Sequence, residues 1–302
     1  VEQNRIDQLK YTLARYVDRY DRYIFPAPAI ILVTAILLFP VAFTVYLSFH
    51  RWSGGITPPA FVGFDNYIGL LQDQRFLNSL KNTVYFVSLS IVSQLALGLI
   101  SALIFHRVFW GRGLARTLFM FPMIATPSAM ALVWKMMLDP TIGSLGYIIE
   151  SLGGPEMLWV ADAKTVIPSL VMVDTWQWTP LVMLIILSGL AALPLEPYES
   201  AKVDGASAIQ TFIYITLPLL RPTLVIAAMF RIIDCIKTFD IIMVITGGGP
   251  AYASEILNVY AFNESLTYLH FGSGSTLLVV LTIIVVIVAI FFNRIRRGGY
   301  WS

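Results

Sequence analysis

The chain has 302 residues, of which 57% are hydrophobic and only 13% charged, and its mean hydropathy is +0.75. A soluble domain carries about a quarter of its residues as charges, and so much apolar side chain cannot be hidden inside one core of this size, so the solvent must be lipid. Twenty basic against 18 acidic residues exclude a nucleic-acid binder held by bulk basicity, and the single cysteine, Cys235, excludes an intramolecular disulfide or a cysteine zinc cage.

A charged segment, residues 1–23, comes first, and the start at Val1 leaves room for an initiator methionine or a short leader upstream. The apolar stretch Ile24–Phe49 is too long for the core of a signal peptide and reads as a permanent first span kinked at Pro40. Val84–Phe105 is the second. Leu114–Leu138 and Val166–Leu193, the third and fourth, are interrupted by Pro122, Pro127, Pro168 and Pro180. Proline is tolerated in membrane helices whose neighbours satisfy the freed carbonyls, so kinked spans facing protein or a cavity are predicted there. Thr223–Thr246 is the fifth, and the uncharged run Ser275–Phe292 is the sixth.

Lys and Arg sort these spans by side. The N-terminal segment holds Arg5, Lys10, Arg15, Arg19 and Arg22; the connection after the second span and its edge hold Arg107, Arg112 and Arg116. The 194–222 loop adds Lys202 and Arg221, and the tail, 293–302, adds Arg294, Arg296 and Arg297, a total of thirteen. The other loops hold four: Arg51, Arg75, Lys81 and Lys164. The expectation is an all-α membrane protein with six transmembrane helices over 24–292 and both termini in the cytoplasm.

The cytoplasmic 194–222 loop is long for a helix–helix turn, which usually takes about 2–8 residues. Pro197 can start a short helix with Glu199 in its first turn, where the helix dipole favours an acid. Gly205 can take the positive φ that ends it. Ser207 and Gln210 have the capping-box spacing for a second helix, which Ile209, Phe212, Ile213 and Leu217 make amphipathic. Pro218 is expected to stop it. The competing reading, a helix lying on the inner leaflet, is disfavoured because residues 194–217 carry one lysine against Glu196, Glu199 and Asp204. A compact projection that docks on a protein partner is predicted.

Glu199-Ser200-Ala201, Asp204-Gly205-Ala206 and Ile215-Thr216-Leu217-Pro218 together resemble the EAA loop of ABC-importer permeases. Ser200 replaces the alanine of that pattern, while Gly205 and Ile215 keep its ten-residue spacing. Residues 139–153 and 230–250 also look like carbohydrate-type importer permeases, of maltose or glycerol-phosphate type, particularly the first of two paired permeases. The resemblance implies that Glu199, Ser200, Ala201, Asp204, Gly205, Ala206, Ile215, Leu217 and Pro218 form the coupling loop. It also implies a place in a bacterial inner membrane, a second permease, two ATPase subunits that hold ATP and Mg, and a periplasmic or lipid-anchored solute-binding protein. This chain itself would bind no cofactor and catalyse no reaction.

Arg231, Asp234, Lys237 and Asp240 alternate in sign at intervals of three within the predicted fifth span. Ionisable groups at bilayer depth usually face a bundle interior or a water-filled cavity. Residues three apart can pair, so a neutralised ladder locking the helix is one reading. The other is a solute path: Asp234, Lys237 and Asp240, with Asp174, Trp176, Gln177 and Trp178 of the fourth span, offer the charged, amide and aromatic groups that hold a hydroxyl-rich solute.

Gly247–Gly249 lacks the lysine and hydroxyl of a phosphate loop and reads as a turn closing the fifth span. His50, His106 and His270 fall on both sides of the membrane, and Ser273 and Ser275 near His270 sit at a helix mouth, so neither a metal triad nor a protease is predicted. The alternative function is a secondary transporter or channel that works without an ATPase. Such proteins often carry matching halves, which this chain does not show.

Overall fold

The computed structural model describes residue 23 and residues 25–298, with backbone alone for 296–298. The five basic residues of the N-terminal segment and the side chains of Arg296 and Arg297 lie outside the described residues. Helix α1 (Ala27–Ser48) is apolar all round and is buried only at its end, at Leu47 and Ser48, so nearly its whole surface is exposed, as befits a helix in lipid. A two-residue antiparallel ladder, β1 (His50–Arg51) with β2 (Ala60–Phe61), and the short helix α2 (Asp65–Gln72) follow it.

Helix α3 (Gln74–His106) begins about three turns before the predicted second span. Its first turns are too polar for a hydropathy window, but the Asp73 carboxylate caps them by accepting the Arg75 N–H at 2.8 Å.

The predicted third span is two helices with a sharp break between them, which corrects the predicted kink. Helices α4 (Arg112–Ile124) and α5 (Pro127–Met137) meet at 93°. Pro122 is absorbed within α4, whereas Pro127 forces the residues before it out of the helical region, and Ala125 and Thr126 are extended (ψ 145° and 127°). Helix α6 (Ser144–Ser151) leads to α7 (Val166–Ala191), the most buried of the long helices, which carries Pro180 without interruption.

The 194–222 loop matches the predicted capping in detail. Helix α8 (Glu196–Val203) ends with Gly205 at φ 73°, the Ala206 N–H reaching the Ala201 carbonyl at 2.9 Å and the Gly205 N–H that of Lys202. This is the glycine-closed end that satisfies the last carbonyls of a helix. Helix α9 (Ala208–Thr211) opens with Ser207 and Gln210 exchanging both capping-box hydrogen bonds.

Pro218 does not stop that helix. A π turn over Phe212–Thr216, in which the Leu217 N–H bonds the Phe212 carbonyl, carries α9 directly into α10 (Leu217–Ile236). The wider turn shifts the hydrogen-bond register just where proline offers no donor. A single rod therefore runs from Ser207 to Ile236, and it ends ten residues before the predicted limit of the fifth span at Thr246. The chain breaks at Lys237–Phe239 and restarts as α11 (Asp240–Ile245). Asn258 donates its side-chain amide to the freed Lys237 carbonyl at 2.7 Å. Helix α12 (Leu257–Phe262), a second π turn (Asn263–Thr267) and α13 (Phe271–Gly298) complete the chain.

Among the described residues, five helices are long and apolar enough to cross a membrane, and the α4–α5 pair makes a sixth crossing if it is counted as one. The bundle is built on α3 and α7, which run parallel: Ala102 near the end of α3 shares one buried cluster with Val182, Ile186 and Leu190 near the end of α7. Their approach depends on Gly98, where an added Cβ would lie 2.6 Å from Val182 Cγ1. Gly189 gives α10 the same close contact with α7 at Thr223.

Candidate functional site

Arg231 ties the rod to two other helices. It is 1% exposed; its Nε donates to Gln94 Oε1 on α3 at 2.7 Å, and its Nη2 to Asp174 Oδ2 on α7 at 3.1 Å. Its Nη1 donates to Asp234 one turn on, and its Nη2 also approaches Cys235 Sγ at 3.2 Å. Gln94 Nε2 returns a hydrogen bond to Asp174 Oδ2 at 2.6 Å, and the guanidinium lies 5.0 Å from the Trp178 ring centre. Asp174 is fully buried and Asp234 is half-exposed. A buried charge is tolerated only when its hydrogen-bonding groups are occupied, and this network does so across α3, α7 and α10.

The predicted path residues therefore separate. Asp174 and Trp178 belong to the buried network, and Gln177 is buried with neither amide atom hydrogen-bonded. Trp176 faces the other way. It lines an apolar groove of about 700 Å³ between α3, α4 and α7, with Ser93, Thr175 and Pro180, and meets Trp134 of α5 edge-on at 5.4 Å. Lys237 and Asp240 lie at the break between α10 and α11, both exposed, and Asp240 accepts the Ser128 hydroxyl of α5 at 2.7 Å. The ladder is half formed: Arg231 pairs with Asp234, but among the described residues no ion pair joins Lys237 to Asp234 or Asp240.

Gln94 and Trp134 escaped the sequence reading. A single amide in the apolar run of α3 was the available signal for Gln94; Trp134 gave none, since only the fold brings it beside Trp176.

The loop residues converge. Ser200, Ala201, Asp204, Ala206 and Ile215 line one cleft of about 260 Å³ between α8 and the rod, and the Tyr198 hydroxyl donates to Thr216 Oγ1 at 3.1 Å across it. Gly205 is exposed at the turn between the two helices, Leu217 is partly buried, and Glu199 and Pro218 are exposed. Val203 and Ile209 leave large apolar side chains uncovered on the same projection.

Residues 94–297 match the family described as the binding-protein-dependent transport system inner membrane component. The chain belongs to this family. It is thus a multi-pass inner-membrane permease component. A trehalose/maltose transport system permease protein of Thermococcus litoralis is 33% identical over 297 residues, covering 98% of this permease and 99% of that one. A sulfoquinovosyl glycerol transport system permease protein of Agrobacterium fabrum is 33% identical, with 94% and 93% covered. Among solved structures, a chain of a bacterial alginate ABC transporter, crystallised with a periplasmic protein carrying an alginate pentasaccharide, superposes with a TM-score of 0.80. It is 19% identical, and 95% of this permease and 98% of that chain are covered. At that identity the likeness concerns the fold.

Proposed function

We propose that this permease forms half of the pore of an ABC importer for a carbohydrate, polyol or related hydroxyl-rich solute, and that its 194–222 loop couples transport to a partner ATPase. The observation that carries the coupling is the projection itself. Two capped helices enclose a cleft, and one of them continues without a break through the π turn to the buried Arg231, about 36 Å away along the helix. A push on the loop is thereby delivered to the centre of the bundle. The uncovered Val203 and Ile209 and the acidic Glu199 and Asp204 suit a protein surface better than an anionic leaflet.

Thirteen basic residues against four favour both termini and this loop in the cytoplasm. ATP and Mg then belong to two ATPase subunits, the other half of the pore to a second permease, and delivery of solute to an extracytoplasmic binding protein. Trp176, Asp234, Lys237 and Asp240 are the groups we assign to the solute path; Asp174, Gln177 and Trp178 stand behind it as its scaffold. Rigid-body rocking of two permeases would expose the path to each side in turn.

The test is reconstitution with ATPase subunits, a second permease and the binding protein, followed by uptake of labelled trehalose and maltose, the solutes named for the Thermococcus litoralis relative. ATP-dependent uptake of either supports the reading. ATP-independent uptake by this chain alone, driven by an ion gradient, refutes it.

A further inference from the structure

We propose that Arg75 is a positioning residue: it clamps the 247–268 segment over the end of the bundle opposite the coupling loop, and so makes transport depend on the binding protein. This rests on the importer reading and on the orientation above. Its guanidinium forms a two-pronged contact with Glu255, Nε to Oε2 and Nη2 to Oε1 both at 2.7 Å, while Nη1 reaches Glu264 at 3.3 Å. Glu255 is fully buried and takes a further hydrogen bond from Asn263 Nδ2 at 2.9 Å. Tyr252 and Tyr260 lie 4.3 and 4.5 Å from the guanidinium carbon, and Tyr268 stands at 5.4 Å. A paired, aromatic-faced arginine of this kind is among the strongest polar contacts available to a surface segment.

The segment needs such a clamp. Ala251 and Tyr252 hold left-handed backbone angles, φ 47° and 63°, which side chains other than glycine adopt only when their surroundings impose them. Asn78 and Asn82, one and two turns beyond Arg75 on α3, both donate to the Tyr252 carbonyl, at 2.9 and 3.0 Å. The same segment continues directly from α11, whose Asp240 holds Ser128 on α5. Arg75 therefore fastens to α3 the layer that adjoins the break at Lys237–Phe239. Apolar contacts also hold α12: Leu257 and Ala261 pack with Leu70, Phe76, Leu277 and Leu281. Loss of the clamp should loosen this segment while leaving the bundle assembled. The fastened arrangement, which on the importer reading is the one that waits for the binding protein, would then be less favoured.

The experiment uses the complete transporter in proteoliposomes and measures ATPase activity with and without the binding protein, alongside assembly by copurification. Arg75→Gln should assemble and raise the activity without binding protein roughly tenfold, shrinking the stimulation ratio by the same factor. Glu255→Gln, which keeps the shape and the Asn263 contact, should do the same and serves if Arg75→Gln does not assemble. A variant that assembles and keeps the wild-type ratio, or loses activity equally in both arms, overturns the proposal. Failure of both variants to assemble also overturns it, because the cluster would then be a folding element only. A wild-type transporter that the binding protein does not stimulate would instead bring down the importer reading itself.

Discussion

Removing Arg231 and removing Asp174 should have very different costs, although the two are partners. The cluster holds one cation and two carboxylates, Asp174 fully buried and Asp234 half-exposed. Arg231→Met leaves the buried Asp174 with only Gln94 Nε2 at 2.6 Å and the Cys235 thiol at 3.6 Å, an uncompensated anion among apolar side chains. Breaking a buried pair in this way costs about 3–5 kcal/mol, a large part of the roughly 5–15 kcal/mol by which proteins are stable. Asp174→Asn leaves Arg231 paired with Asp234 and hydrogen-bonded to Gln94, and removes the excess negative charge; its cost should be nearer ~1 kcal/mol, that of a weakened hydrogen bond. Arg231→Met combined with Asp174→Leu removes both ions and should recover at least ~2 kcal/mol relative to Arg231→Met alone. Equilibrium unfolding of the permease in mixed micelles, read by intrinsic tryptophan fluorescence, compares the three. Equal stability of Arg231→Met and Asp174→Asn would refute the argument that this cluster is organised around one indispensable cation.

Gly205→Val has open space around its new Cβ, so the strain comes first from the positive φ, at least about 1–2 kcal/mol, and the altered turn should leave ATP hydrolysis running with little uptake; a wild-type ratio of solute moved to ATP hydrolysed counts against the coupling role. Ser207→Ala should weaken the start of the rod by about 1 kcal/mol, seen as faster hydrogen exchange confined to its first turn. Trp176→Ala and Asp240→Asn should raise the KM for uptake several-fold with little change in kcat, and unchanged kinetics in both would remove these residues from the solute path. At the exposed 139–142 turn, the Thr141 hydroxyl and then the Thr141 and Ile142 amides hold the Asp139 carboxylate below the usual range. A depressed carboxylate contributes its stability above the unfolded pKa, about 3.9, and loses it as the pH falls through the lower folded value. Limited proteolysis at that turn should therefore be flat from pH 7 to 5 and rise only in stronger acid.

The membrane class, the position of most spans and both caps of the coupling projection were legible because each depends on neighbours a few residues away. Ser207 and Gln210 find each other within one turn, and Gly205 needs only its own φ. The fate of the prolines was not legible. Pro127 breaks the third span at 93° because two consecutive residues become extended before it, whereas Pro218 is carried through on a π turn. Nothing local to either proline distinguishes them; the neighbours that satisfy the freed carbonyls do. Likewise Arg75 counted only as a loop charge until the fold set it against Glu255, 180 positions away.

Scarcity of charge, by itself, determined the solvent of this protein, because apolar side chains in such excess have nowhere but lipid to go. Spacing determined the projection, because caps are local. Which of the few charges are buried, paired or open was decided only by tertiary structure. The spacing of Arg231, Asp234, Lys237 and Asp240 suggested one ladder on one helix. The rod ends at Ile236, and Asn258 from a later segment stabilises the break, so Arg231 turns inward to Gln94 and Asp174 while Lys237 and Asp240 stay exposed. The physical reason is that the cost of a charge depends on what surrounds it, and those surroundings come from helices far away in the chain.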